Sequence, residues 1–178
     1  MRLSKITCGD AYDFLMDLGL HYQEMIAQER ETGDGRQQKG YDGQRLPDHV
    51  IMNYPLEAPR FLGALRWWPS PKKRTSRVKK NSKKRQVTAK DGRETSSPRV
   101  HVYTFARADE ENSRSAEEVS VDIIASYLIP GLDARELDAT FDCNVDVYCV
   151  RDVAPGKQVF CVSFSATPRL LRYMQGDF

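Results

Sequence analysis

The chain has 178 residues, 40% of them hydrophobic and 29% charged, which is the size of one ordinary domain with extra polar material. It holds no run of ~18 apolar residues, which excludes a transmembrane helix and sets aside a membrane partner. The net charge of +2 hides an asymmetry: nine of the 27 basic residues fall in residues 72 to 85 without an acid, leaving 18 basic against 25 acidic residues elsewhere, a balance of −7.

The start, Met1-Arg2-Leu3-Ser4-Lys5, lacks the apolar core of a secretory signal. Cys8, Cys143, Cys149 and Cys161 contain no Cys-x-x-Cys pair, so a zinc site is not expected. Three of them lie in apolar, strand-like runs, where cysteine acts as a small buried hydrophobe, and a reducing compartment is the default.

Residues 3 to 8 read as a short strand, Gly9-Asp10 as a turn, and the following segment as a helix with the stripe Tyr12, Leu15, Met16, Gly19, Leu20 and Ile26. Asp10 begins this helix as an N-cap, or alternatively sits at a strand end facing a ligand. Residues 27 to 46 are polar and Gly-rich and read as a loop. Val50-Ile51-Met52 is a short apolar run, expected as a strand buried on both faces of a parallel sheet. It stops at Asn53-Tyr54-Pro55, and Glu57, Ala58, Phe61, Leu62 and Leu65 then fall at helical spacing up to Trp67-Trp68-Pro69. In an open α/β sheet, ligands bind beyond the carboxyl ends of the strands. Asn53 there offers a carbonyl and an amide, and Pro55 fixes the backbone.

Residues 69 to 98 form a second polar insert, too poor in apolar residues to bury a core and expected to be disordered. Its basic run, with Lys72, Lys73, Arg74, Lys79 and Lys80, is open to three readings: an inert solvated loop, a phosphate-binding arm for RNA, or a nuclear localisation signal. Val100, Val102, Tyr103 and Phe105 make the next strand, where a lone His101 reads more readily as a packed side chain than as a catalyst. After a polar link over 107 to 114, Ser115 and Glu118 form a capping box for an amphipathic helix described by Val119, Ile123, Ile124, Tyr127 and Leu128, stopped by Pro130-Gly131. Residues 132 to 141 read as a short connection. The last segment is a hairpin, with Val145 to Val150 as one strand, Asp152 to Lys157 as the turn and Val159 to Phe164 as the other strand.

Four stretches carry a resemblance: "DHVIMNYPLEAPRFL", "VDVYCVRDVAPGKQVFCVSF", "RVHVYTFA" and "ITCGDAYDFL". In that they resemble signatures of the eukaryotic and archaeal tRNA (guanine(37)-N1)-methyltransferases, and together they cover the chain except for its two polar inserts. The resemblance implies an α/β fold, a partial Rossmann-like class I methyltransferase with a mostly parallel sheet ending in a hairpin whose last strand inserts antiparallel. It also implies S-adenosylmethionine as methyl donor and N1 of guanosine 37 in tRNA as the target.

By the same resemblance Asn53 and Pro55 are the candidate catalytic residues, and Asp10 and Asn53 the candidate donor-binding residues. Tyr54 stands where the family usually has Leu and would stack on the base. Arg151 and Lys157 flank the hairpin turn and read either as phosphate holders or as solvated charges. The family's glycine-rich donor loop and its RNA-docking domain have no counterpart here, so residues 1 to 178 are expected to be the C-terminal part of a methyltransferase domain: a truncated gene product, a fragment, or one partner of a split protein that works with an upstream half. Cytoplasm, nucleus and mitochondrial matrix all remain open. The alternative reading is a non-enzymatic RNA-binding or nuclear protein that uses the basic arm over 72 to 85.

Overall fold

The computed structural model describes residues 10–32, 46–69, 97–109 and 113–176. The expected strand over 3 to 8, the basic residues Lys72, Lys73, Arg74, Lys79 and Lys80, and Cys8 lie outside the described residues.

Helix α1 spans Ala11–Thr32. Asp10 caps it: its Oδ1 accepts from the Tyr12 N–H at 2.7 Å and the Asp13 N–H at 3.3 Å. The polar sequence from Ala27 to Thr32, expected as loop, is therefore the last part of this helix. Strand β1 is His49–Met52. After the Asn53 turn comes a single α turn, α2 (Ala58–Phe61), and then a 3-10 helix, Leu62–Trp67, in place of one continuous α-helix. It stops at Trp68, which takes the extended conformation that a following Pro69 favours.

Strand β2 (Arg99–Ala106) follows, then α3 (Ala116–Leu128) with the Ser115–Glu118 capping box formed in both directions. Residues 132 to 141 are not merely a connection. Asp133 and Glu136 form a second capping box that starts α4 (Ala134–Phe141), and Leu137 and Phe141, four apart, bury its inner face. Strands β3 (Asp146–Ala154) and β4 (Lys157–Ser165) make the expected hairpin, but they run up to Pro155-Gly156, so the turn is shorter than the sequence reading gave. Gly156 has φ +68°, a value that suits glycine at a tight turn. Helix α5 (Pro168–Gln175) closes the described chain, with the Thr167 side chain accepting from the Leu170 N–H.

The sheet runs β1-β2-β4-β3. β1 and β2 are parallel, while β4 is antiparallel to both β2 and β3. Among the described residues the sheet is thus mixed, with one parallel and two antiparallel pairings, and the expectation of a mostly parallel sheet does not hold. The expected insertion of the last strand does hold, since β4 lies between β2 and β3. Among the described residues β1 lies at the edge of the sheet, and its burial on both faces is likewise corrected: Met52 is buried, but Ile51 is 68% exposed.

One face of the sheet is packed. Val100, Val102, Val162 and Phe164 are fully buried against Leu62, Leu65, Ile124, Leu137 and Leu170, so the helices form a layer on this side. α1 fits closely onto the 3-10 helix: a Cβ on Gly19 would come within 2.5 Å of the Trp67 carbonyl oxygen. Of the cysteines in the strand-like runs, Cys149 is exposed on β3 and Cys161 only half-buried on β4, against expectation, while Cys143, outside those runs, is buried.

Candidate functional site

The parallel pair gives the sheet an end with a direction. β1 and β2 pair from His49↔Arg99 to Met52↔Val102, and β2 then runs four residues further, to Ala106 beside Gln158. Beyond the carboxyl end of β1 come Asn53 and Tyr54, both exposed, and a half-buried Pro55. The Tyr54 carbonyl accepts the N–H groups of Glu57 at 3.0 Å and Ala58 at 2.8 Å, so the turn is held by its own backbone while the Asn53 side chain faces outward.

Two further parts arrive at the same end. The first turn of α1 lies beside the start of the 3-10 helix, with the Tyr12 ring 3.7 Å from the position of a Cβ on Gly63, and Gly19 beside Trp67. α1 therefore runs in the same direction as the segment that leaves β1, and Asp10 heads it at the end where β1 finishes. The tip of the β3–β4 hairpin lies past Ala106 at the carboxyl end of β2. Arg151 is exposed there, and the Lys157 Nζ sits 4.4 Å above the centre of the Phe105 ring, a cation–π contact that fixes the ammonium. A hollow of about 650 Å³ opens beside this tip, lined among others by Ala108, Ser115, Asp152 and Pro155. Asp10, the Asn53–Pro55 turn, Arg151 and Lys157 thus share one end of the sheet. The basic residues of the insert lie outside the described residues.

The sequence reading missed a polar cluster on the other face. His101 is not alone: its Nε2 lies 3.0 Å from Nδ1 of His49 on β1, with the rings stacked at 5.3 Å, and its Nδ1 lies 2.8 Å from the Ser163 hydroxyl on β4. Burial first, then the His49 ring and the Arg99 guanidinium, hold the His101 imidazole below its ordinary pKa. Arg99 donates to the Asn144 carbonyl at 2.5 Å and the Ser163 neighbour Ser165 at 3.2 Å, and it pairs with Asp146. Only the pairing register brings these residues together, and no motif in the sequence announces it.

A sheet with a crossover from a parallel strand and a polar turn at the strand end defines an α/β domain of the kind that takes ligands beyond its strand ends. Sequence comparison supplies the family. The chain is 48% identical over 174 residues to a Phaeodactylum tricornutum protein named tRNA (guanine(37)-N(1))-methyltransferase 2, a match over 92% of this chain and 28% of that protein. Two weaker matches, each 32% identical over 117 residues, are to tRNA (guanine(37)-N(1))-methyltransferase 1 of the same organism (66% of this chain, 20% of that protein) and to a tRNA (guanine(37)-N(1))-methyltransferase of Neurospora crassa (65% and 21%). The chain belongs to the tRNA (guanine(37)-N1)-methyltransferase family and spans a little over a quarter of the length of its 48%-identical relative. No family model matches it, and no solved structure does.

Proposed function

We propose that this chain forms part of an S-adenosylmethionine-dependent enzyme that methylates N1 of guanosine 37 in tRNA, next to the anticodon. The observation that carries the reading is the 48% identity across 92% of the chain, a span that includes the Asn53 turn. The mixed sheet, with its last strand inserted antiparallel, supports assignment to the C-terminal part of a Rossmann-like class I methyltransferase domain.

The methyl donor brings its own reactivity, an activated methyl group on a sulfonium, and the protein has to position it against the base. Asn53 uses its exposed amide and carbonyl to hold the donor or the guanine edge, Pro55 shapes the wall, and Tyr54 stacks on the splayed base. Asp10 holds the end of α1 toward the same place. Arg151 and Lys157 take backbone phosphates at the hairpin tip. N1 of guanine must lose its proton as it attacks, which calls for a base beyond the residues assigned above. An upstream methyltransferase half therefore completes the site, and the compartment is one where tRNA is made or used: cytoplasm, nucleus or mitochondrial matrix.

The test has two arms. Titration calorimetry measures S-adenosylmethionine binding to the chain alone and to the chain mixed with the remaining part of the Phaeodactylum relative. Methyl transfer to N1 of guanosine 37 is then followed in the mixture. Binding and transfer in the mixture, both reduced at least tenfold by Asn53→Ala, are expected. Unchanged transfer by Asn53→Ala would remove that residue from the site. RNA binding without any transfer, lost when the 72 to 85 run is neutralised, would turn the reading to a non-enzymatic one.

A further inference from the structure

The hollow beside the hairpin tip lies at the end of the sheet that carries Asn53, and it has no part in the roles given to Asn53, Arg151 and Lys157. Its walls are small, with Ala108, Ala116, Ala154 and Gly156, and a Cβ on Gly156 would meet nothing within 4 Å. At about 650 Å³ it falls within the ~300–1,000 Å³ of sites that hold small ligands. Its polar edge offers acceptors. One oxygen of Asp152 accepts the Gln158 amide at 2.8 Å, while its second oxygen and the Gln158 carbonyl oxygen have no partner among the described residues. At the head of α3 the Ser115 and Glu118 N–H groups are spent on their own capping box. Asp109 accepts from the Ser113 hydroxyl at 2.6 Å, and Arg114 pairs with Asp109 and Asp122, so the wall that carries Ala108 and Ser115 is clasped in place.

We infer that this hollow takes a second nucleobase of the tRNA anticodon loop, one that presents an exocyclic amine: adenine, cytosine or guanine, and not uracil. This rests on the reading of the chain as part of a tRNA methyltransferase, and it gives the substrate strand a second foothold beside the target guanosine. β2 runs four residues past the end of β1, roughly 13 Å at ~3.3 Å per residue, so the hollow and the Asn53 turn are a few nucleotides apart along an RNA strand. An amine donates two hydrogens, which matches the second Asp152 oxygen and the Gln158 carbonyl. Uracil turns one N–H and two carbonyl oxygens to the same edge, and a carboxylate repels those oxygens.

A backbone phosphate is the competing group from the same strand. Charge decides against it. The hollow is lined by a carboxylate, Asp152, and by no cation, whereas Arg151 and Lys157 stand next to the lining and not within it. Phosphates therefore stay on the rim with the cations and the base turns inward. A polyamine would also satisfy the acceptors, but the small apolar walls suit the flat face of a ring better than a charged chain.

The test uses the full chain and two seven-nucleotide RNAs with a central guanosine, one flanked by cytidines and the other by uridines, so that ring size is the same. Binding is followed by fluorescence anisotropy at one fixed salt concentration. The cytidine RNA is expected to bind about fivefold tighter or better. That preference should vanish in Asp152→Ala, which removes the acceptor, and in Ala108→Trp, which fills the hollow. Both positions are exposed, so the circular dichroism of the chain should not change. Arg151→Gln should weaken both RNAs alike and flatten their salt dependence. Equal binding of the two RNAs, no binding of either, or a preference that survives Asp152→Ala overturns the inference. Spermidine binding that needs Asp152, without a base preference, makes the occupant a polyamine and overturns it too. Methyl transfer is not read: transfer by the mixture described above without this preference would remove the second base site and leave the enzyme standing.

Discussion

The indole N–H of Trp68 donates to the Leu15 carbonyl, 3.2 Å away and buried, across 53 residues of sequence. Trp68 is fully buried. This one side chain fastens α1 to the segment that descends from the Asn53 turn, and so it sets where Asp10 comes to rest. Trp68→Ala should destabilise the chain by about 3–5 kcal/mol, read from urea unfolding. Trp68→Phe, which keeps most of the apolar contact, should recover the larger share.

Gly19 makes the same seam possible. A Cβ there would stand 2.5 Å from the Trp67 carbonyl oxygen and 2.7 Å from its carbon, and backbone cannot swing aside as a side-chain tip can. Alanine favours a helix interior by ~1 kcal/mol, but the clash outweighs that gain. Gly19→Ala is expected to lower Tm and cost about 1–3 kcal/mol net. Gly63→Ala, whose nearest neighbours are 3.7 Å away, should be close to neutral.

The depressed pKa of His101 gives a signed pH dependence. An unfolded imidazole takes its proton near 6.5, and the folded one at a lower pH. Between those values the unfolded chain binds more protons, so stability falls as pH drops below about 6.5. Denaturant midpoints measured from pH 7.5 to 5 should decline in the wild type and decline less in His101→Gln.

Cys143 behaves in the opposite sense. Burial pushes its thiol up to about 12 from an ordinary value of 9.0, so its share of the stability is present below pH 9 and drains away as pH rises toward 12. At pH 8 a thiol reagent should label exposed Cys149 first and Cys143 only on unfolding, which mass mapping of the labelled peptides would show.

The Ser115–Glu118 box closes the N-terminus of α3 with bonds of 2.8 and 3.1 Å. Ser115→Ala should cost about 1 kcal/mol by thermal or denaturant unfolding.

Local signals were legible and pairing was not. The α3 box, the hairpin and the strand ending at Asn53 could all be read because turn chemistry and caps act within a few residues. The second box, Asp133 with Glu136, carried the same signal for α4, but two buried apolar positions in eight residues made a faint stripe. Thr167-Pro168 marked α5 in the same way, with a cap followed by a proline at the first turn. Val50-Ile51-Met52 misled because an apolar run reveals hydrophobicity and not which neighbours arrive, and among the described residues nothing covers the face that carries Ile51. The meeting of His49 with His101 depends on register across 52 residues, which periodicity does not encode. Of the candidate site, the turn and its position at a strand end followed from sequence; that Arg151 and Lys157 lie at the same end of the sheet needed the strand order, and that Asp10 does needed the packing of α1.

The order of the strands also sets an order in time. β3 and β4 are joined by two residues and zip up locally, whereas β1 must find β2 by closing a loop from Met52 to Arg99. The hairpin, β2 and α3 are expected to condense first and β1 to dock after them, carrying the Asn53 turn with it; amide-exchange labelling during refolding would show late protection at 49 to 52. Because closure entropy grows only with the logarithm of loop length, doubling the connection would cost roughly 0.6 kcal/mol. The connection between these strands can thus change length with small effect on stability, while the strand-end turn takes its place only once that closure is made.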